Sequence, residues 1–172
     1  MSTTVDMTGR WTGYYLQLGS EHPITADLVQ SGSRLSGAMC DGQPESDCSL
    51  FEIAQHSGLA PGADEQIAKH IREEHPDAKG PIRYVMRLPT SSILEGHCKG
   101  SIVYFLKSYQ GNSYSGYKAG DQLLGTERPG HSVHYEGRLE TDDVISGKWW
   151  IDANPAIGFM RTEGLFLLRR TS

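Results

Sequence analysis

The stretch "SVHYEGRLETDDVISGKWWI" (residues 132–151) decides the fold, because glycine recurs in it at positions that otherwise alternate like strands. Its two halves flank the polar turn "ETDD". Each half carries a large apolar residue followed two positions later by glycine: Tyr135 with Gly137, and Ile145 with Gly147. Side chains two residues apart lie on the same face of a strand, so each half presents a bulky group and then a gap to one side of the sheet.

The same spacing recurs in other strand-like segments. It joins Trp11 to Gly13, Leu35 to Gly37, Leu94 to Gly96 and Tyr114 to Gly116. Glycine is a poor strand former, but a backbone without Cβ can coil sharply where a sheet curls on itself. Closing the sheet also removes exposed edges. We therefore predict that Gly13, Gly37, Gly96, Gly137 and Gly147 point toward the axis of one barrel.

Turn-bounded segments of strand length recur along the whole chain, and the 20 glycines and 8 prolines fit many turns. The predicted fold is all-β: a single antiparallel meander barrel of about 8–10 strands that spans residues 1–172 as one domain. One segment, "PGADEQIAKHIREEHPDAKGP" (61–81), indicates instead a short helical insertion at about 63–75. Asp64 and Glu65 suit the positive N-terminal end of a helix, and Pro76 ends it.

Two motifs near the chain ends resemble those of a known superfamily. The opening "TGRWTGYY" (8–15), the meander of strands and the last strand "GLFLLRR" (164–170) are similar to the calycins, which comprise lipocalins, fatty-acid-binding proteins and avidins. The resemblance implies that Trp11 packs across the barrel floor. It also implies that a basic residue of the last strand, Arg169 or Arg170, covers the indole.

The inward positions of such a barrel include the candidate ligand-binding residues. Tyrosine and tryptophan offer an apolar body with a polar tip, and a barrel of about eight strands is either filled by its own side chains or holds one small ligand. For "SIVYFLKSY" (101–109) two faces remain open, Ile102/Tyr104/Leu106 and Val103/Phe105/Lys107. The further inward positions expected are Trp11, Ile24, Leu28, Leu35, Leu88, Ile145, Phe166 and Leu168. The ligand-binding candidates are Tyr15, Met39, Tyr84, Met86, Tyr135 and Trp149.

No motif indicates a catalytic residue, a cofactor or a metal. His131 and His134 are three apart on a strand and face opposite sides, so they cannot chelate one ion together. Glu95 and His97 share a face and could form an acid–base pair inside a barrel. The glycine rule instead places them on the solvent side, with Leu94, Gly96 and Cys98 inside. The three cysteines are expected to be buried thiols, and "CDGQPESDC" (40–48) an ordinary hairpin loop.

Charge and hydropathy narrow the range of partners. The formal net charge of −5 disfavours nucleic acid and anionic membrane surfaces. No apolar run reaches the roughly 18 residues of a membrane span, and no signal peptide is visible at the N-terminus, so we expect a cytoplasmic protein.

Three functions remain. The expected one is binding of a small, mostly apolar ligand in the barrel interior. The alternatives are an assembly barrel without a ligand and an isomerase or cyclase on the same barrel, which would need an inward carboxylate or histidine. Trp149 and Trp150 point to opposite faces, so Trp150 should lie on the outer wall, where it could form a homo-oligomer contact.

Overall fold

The computed structural model describes residues 5–17, 19–157 and 160–172. Within these ranges the helices are α1 (Leu50–His56) and α2 (Ala63–Glu74), with a 3-10 turn at Pro155–Ile157. The strands are, in chain order, β1 (Gly9–Gln17), β2 (Ser20–Ser31), β3 (Arg34–Asp41), β4 (Glu45–Ser49), β5 (Ile82–Arg87), β6 (Ser92–Lys99), β7 (Ile102–Tyr109), β8 (Asn112–Ala119), β9 (Gln122–Leu123), β10 (Arg128–Pro129), β11 (Ser132–Thr141), β12 (Val144–Ile151) and β13 (Thr162–Arg170).

Eight of these strands close into an antiparallel barrel, which confirms the predicted fold class. Their order around the barrel is β1-β13-β12-β11-β7-β6-β3-β2. β1 pairs with β2 on one side and with β13 on the other, so the first and last strands join the two ends of the sheet. The barrel is one compact unit, made from the described residues within 5–43, 89–110 and 130–172.

The barrel glycines occupy the inward face, as predicted. On β11 and β12, Gly137 and Gly147 are directly paired and share their faces with the buried Tyr135 and Ile145. A Cβ added at Gly147 would collide with the carbonyl oxygen of Glu136 on the neighbouring strand, and one at Gly137 would lie 2.9 Å from Cζ of Phe166. Glycine therefore allows these two strands to approach closely under the Phe166 ring.

One end of the barrel is closed by packing around Trp11. This side chain has no exposed surface, and its Nε1 donates to the carbonyl oxygen of Met7 at 2.9 Å. The Arg170 guanidinium carbon lies 4.6 Å from the centre of the Trp11 ring. Of the two arginines that the resemblance offered, Arg170 is the one that covers the indole.

The buried side chains of the barrel fill its interior above Trp11. The sequence left two possible inward faces for residues 101–109. In the structure Val103, Phe105 and Lys107 face the barrel interior. The apolar members, each at most 3 % exposed, include Ile24, Ala26, Leu28, Leu35, Met39, Leu94, Val103, Phe105, Ile145, Trp149, Phe166 and Leu168.

The remaining described residues form a second compact unit from residues 44–88 and 111–129. It contains α1, α2 and a sheet in the order β10-β8-β5-β4, with β9 paired to β8. Tyr84, Met86 and Leu88 belong to this unit, so the expectation that they line the barrel is wrong. Tyr84 and Met86 lie on β5, which belongs to a separate sheet, and both are half-buried. The segment Tyr114-Ser115-Gly116 likewise lies on β8. That all of residues 1–172 form one domain stays a prediction.

Both helices lie in this second unit. α2 spans Ala63–Glu74 and matches the predicted insertion. α1 was not predicted. Ser49 caps it: its hydroxyl accepts from the Glu52 N–H, while the Glu52 carboxylate accepts from the Ser49 N–H. Neither helix is long and apolar enough to cross a membrane.

Candidate functional site

A charged pair lies inside the barrel at the ends of β3 and β7. Alternation along β3 places Asp41 on the same face as Leu35 and Met39, and alternation along β7 places Lys107 and Tyr109 inward. Lys107 Nζ donates to both carboxylate oxygens of Asp41, at 3.0 and 2.8 Å, and to the Tyr109 hydroxyl oxygen at 3.0 Å. The side chains of Lys107 and Asp41 are 0 % and 3 % exposed.

This geometry satisfies the lysine completely. An ammonium group has three protons, and each of them has an acceptor here. Removing two charges from water costs several kcal/mol for each ion, a cost that only close pairing offsets. Burial is the larger influence on Lys107 and lowers its pKa, although the neighbouring Asp41 carboxylate acts in the opposite direction. Together the two charges cancel, so the site presents no net charge.

Three inward tyrosines lie close enough to Asp41 to be affected by its charge. Burial, reinforced by the negative charge of Asp41, raises the pKa of Tyr15, Tyr109 and Tyr135 above the ordinary tyrosine value. All three are therefore neutral at physiological pH and can both donate and accept a hydrogen bond. The site combines one neutralised ion pair with a group of neutral hydroxyls.

Two of these hydroxyls have no protein partner. Neither Tyr15 nor Tyr135 makes a side-chain hydrogen bond to any residue that the structure describes, whereas the Tyr109 hydroxyl accepts from Lys107. Every fully enclosed side-chain N or O atom of the described residues does have a partner. Tyr135 is only 2 % exposed, whereas Tyr15 is half-buried.

Aromatic rings form the walls around these hydroxyls. Tyr135 stacks on Phe105, with ring centres 4.9 Å apart, and meets Phe166 edge to face at 5.0 Å. Tyr15 stacks on His22 at 4.8 Å and meets Trp149 edge to face at 5.6 Å. Such stacked and edge-to-face contacts favour these ring orientations and so help to position the hydroxyls.

The structure brings together a subset of the predicted ligand-binding residues. Tyr15, Met39, Tyr135 and Trp149 all lie on the inner face of the barrel, and Met39 precedes Asp41 on the same face of β3. Tyr84 and Met86 lie on β5 in the second unit and belong to no barrel site. Sequence reasoning missed Asp41 and Tyr109, and left Lys107 as one of two alternatives. Counting two residues on from Met39 along β3 leads to Asp41, and counting two residues on from Lys107 along β7 leads to Tyr109.

His131 lies at the same end of the barrel. Its ring centre is 5.0 Å from that of Tyr109. Burial, and after it the positive charge of Lys107, lowers the pKa of His131 below the ordinary histidine value. The imidazole is therefore neutral at physiological pH and adds a further polar group to the site.

The outer wall carries a separate network around His134. The Tyr104 hydroxyl lies 2.8 Å from His134 Nδ1, and His134 Nε2 lies 2.8 Å from a carboxylate oxygen of Asp152. An imidazole protonated on Nε2 satisfies both contacts. Trp150 stacks on the His134 ring at 5.0 Å and lies on the outer wall, as its alternation predicts. His131 and His134 therefore face opposite sides, as expected.

The other chemical candidates do not form a site within the described ranges. Glu95 and His97 are exposed on the outer face of β6, with Leu94 and Cys98 inside, as the glycine rule predicted. No group of three or more His, Cys, Asp or Glu residues among those described is placed to hold a metal ion. The cysteines are free thiols, but only Cys98 is buried, and the expectation for Cys40 is wrong because it faces outward from β3. The "CDGQPESDC" segment is also more than a loop, since it contains the end of β3 and most of β4.

Comparison with known proteins adds no relative: no family model matches the chain, and neither the curated proteins nor the solved structures contain a match. The class of this protein therefore rests on its structure alone. One of its units is a closed eight-stranded antiparallel barrel with a buried Lys–Asp pair at one end.

Proposed function

We propose that the barrel binds a small, mostly apolar, uncharged ligand at the end that holds Asp41 and Lys107. The observation that carries this proposal is the pair of inward tyrosines, Tyr15 and Tyr135, whose hydroxyls bond to no residue that the structure describes, at the barrel end that also holds the buried Asp41–Lys107 pair. A ligand that bonds to one of these hydroxyls gains a hydrogen bond, which contributes about 0.5–1.5 kcal/mol.

The chemistry of the site favours an uncharged ligand with a hydrogen-bonding group. Asp41 and Lys107 neutralise each other, so neither is free to pair with an ionic group. The hydroxyls of Tyr15 and Tyr135 can donate to a carbonyl or ether oxygen, and their rings are apolar. Packed side chains fill the interior toward Trp11, which restricts the ligand to a small molecule at the polar end.

Binding can be tested with an uncharged fluorescent probe. The naphthalene ketone prodan has a flat apolar body and a carbonyl oxygen, and its emission shifts when it leaves water. We expect saturable binding to the wild-type chain. Tyr135→Phe removes only the hydroxyl and should weaken binding by about tenfold, the equivalent of roughly 1.4 kcal/mol.

Tyr14→Phe is the matched control for this experiment. Tyr14 precedes Tyr15 on β1 and faces the opposite side of the strand, so its loss should leave prodan affinity unchanged. Native mass spectrometry of the freshly purified protein would reveal a co-purified ligand directly. Equal prodan affinities for wild type and Tyr135→Phe, together with a mass that equals the bare chain, would rule out the proposed site.

The outer wall supports a second candidate, self-association through the face around Trp150. Trp150 is half-buried, and its ring contacts the cations of Lys148 and Arg161 as well as His134. Light scattering on wild type and Trp150→Ala tests this. A dimer that becomes a monomer on substitution supports the interface, and an unchanged mass excludes it.

A further inference from the structure

The second unit contains a cleft of its own, distinct from the barrel interior. It has a volume of about 800 Å³ and is bordered by α2 on one side and by residues of β8 and the segment up to β10 on the other. Small-molecule pockets in proteins typically measure about 300–1,000 Å³. The cleft is therefore large enough for a compact organic molecule.

Its floor is the uncovered side of an apolar cluster. Ile71 is buried in that cluster, and Ile67, Tyr117 and Leu124 pack against it while remaining partly exposed. All four residues line the cleft. An apolar guest placed here would extend the existing core and remove the remaining apolar surface from water.

One wall of the cleft is held by a hydrogen bond within β8. Tyr114 is buried, and its hydroxyl donates to the carbonyl oxygen of Tyr117. Gly116 leaves room for this hydroxyl, because a Cβ at this position would lie 3.1 Å from its oxygen. The wall is therefore formed without help from a ligand, as is usual for small-molecule sites.

The rim carries one arginine, Arg128, and one carboxylate, Glu74. Glu74 is the single carboxylate among the described lining residues, and it lies 3.4 Å from His70 Nε2. Arg128 also lines the cleft, is exposed, and forms no ion pair with any residue that the structure describes. A guanidinium without a protein partner can pair with a planar anionic group such as a carboxylate.

We propose that this cleft binds a small organic anion with an apolar ring or chain, its apolar part on Ile67, Tyr117 and Leu124 and its anionic group on Arg128. This proposal is independent of the barrel site. It involves other residues, another compact unit and a charged rather than an uncharged ligand.

The test compares two probes of the same shape, 2-naphthoate and its uncharged amide 2-naphthamide, by isothermal titration calorimetry. We expect the wild-type chain to bind the carboxylate about fivefold more tightly than the amide, because only the carboxylate pairs with Arg128. Arg128→Gln should reduce carboxylate affinity to that of the amide and leave the amide unchanged. Gln66→Trp, which places a large ring in the cleft from an exposed position of α2, should weaken both probes.

Two controls separate this site from the barrel. Arg34→Gln removes an exposed arginine from β3, and Tyr135→Phe alters the barrel site, so both should leave naphthoate binding as in wild type. Amide NMR shifts on adding 2-naphthoate should be confined to residues 63–75 and 114–128. Shifts confined to barrel residues, equal naphthoate affinities for wild type and Arg128→Gln, or no detectable binding of 2-naphthoate would each overturn the proposal.

Discussion

At the scale of single residues, the barrel is unusual in enclosing a lysine that has no exposed surface. The bidentate contact with Asp41 and the third contact with Tyr109 explain how the charge is kept there. Removing any one of these three side chains would leave a buried polar group without its hydrogen-bond partner, so the three depend on one another.

Breaking the pair from one side should therefore be costly. Lys107→Met leaves the Asp41 carboxylate buried without its counter-ion, and we expect a loss of about 3–5 kcal/mol in the free energy of unfolding, measured by urea denaturation. The double variant Asp41→Leu/Lys107→Met removes both charges and should recover most of that loss. A cost below about 1 kcal/mol for Lys107→Met would show that the carboxylate is not enclosed as described.

His131 should make stability depend on pH. Its pKa is lowered in the folded chain, first by burial and then by Lys107, so the unfolded chain binds the proton more readily. The contribution to stability is complete above the unfolded value of about 6.5 and is lost as the pH falls through the lower folded value.

The check is to measure unfolding free energy from pH 7.5 downward on wild type and on His131→Asn. Wild type should lose stability once the pH falls below about 6.5, and the variant should lose less over the same interval. His70→Asn, at an exposed position of α2, serves as the control and should follow wild type. Parallel curves for wild type and His131→Asn would contradict the assignment.

At the scale of elements, the paired glycines of β11 and β12 decide how closely the two strands approach. In Gly147→Ala the added methyl group would collide with backbone atoms of Glu136 and Gly137, which cannot rotate away. We expect a destabilisation of about 1–3 kcal/mol, from the thermal unfolding midpoint and calorimetric enthalpy. Ser146→Ala changes the residue before Gly147, whose hydroxyl points outward to Glu140. This substitution should cost less than about 0.5 kcal/mol. Equal costs for the two variants would mean that the strands do not depend on glycine here.

Local signals allowed most elements to be predicted, but not all. Strand alternation identified the barrel strands, and the charge pattern with Pro76 identified α2. α1 was missed although "SLFE" (49–52) has the Ser-x-x-Glu form of a capping box. The helix is only seven residues long, too short for its apolar spacing to stand out.

At the scale of the whole molecule, Arg170 ties together segments that are far apart in the chain. Its guanidinium donates to the carbonyl oxygens of Asp6, Thr8 and Asp142 and covers the Trp11 ring. Lysine cannot reproduce this planar set of donors.

Arg170→Lys should therefore loosen the floor of the barrel. We expect a loss of roughly 2 kcal/mol in unfolding free energy, from the weakened ring contact and lost hydrogen bonds. Faster amide exchange at residues 6–11 would locate the effect. Arg169→Lys changes the exposed neighbour on the same strand and should be nearly silent. If both variants behave alike, Arg170 does not close the barrel floor.

The sequence alone was enough to predict the closed antiparallel barrel. Alternation indicates the strands, and the glycines that share a face with bulky residues indicate a sheet that curls on itself; both signals can be read within a single strand. The sequence also identified Tyr15, Met39, Tyr135 and Trp149 as inward residues, since facing direction follows from counting along one strand. Only the tertiary structure decided that Asp41 meets Lys107, 66 positions along the chain, and that Tyr84 and Met86 belong to another sheet. The physical reason is that a single strand shows which side a residue faces, whereas the partner it meets there depends on how all the strands are ordered.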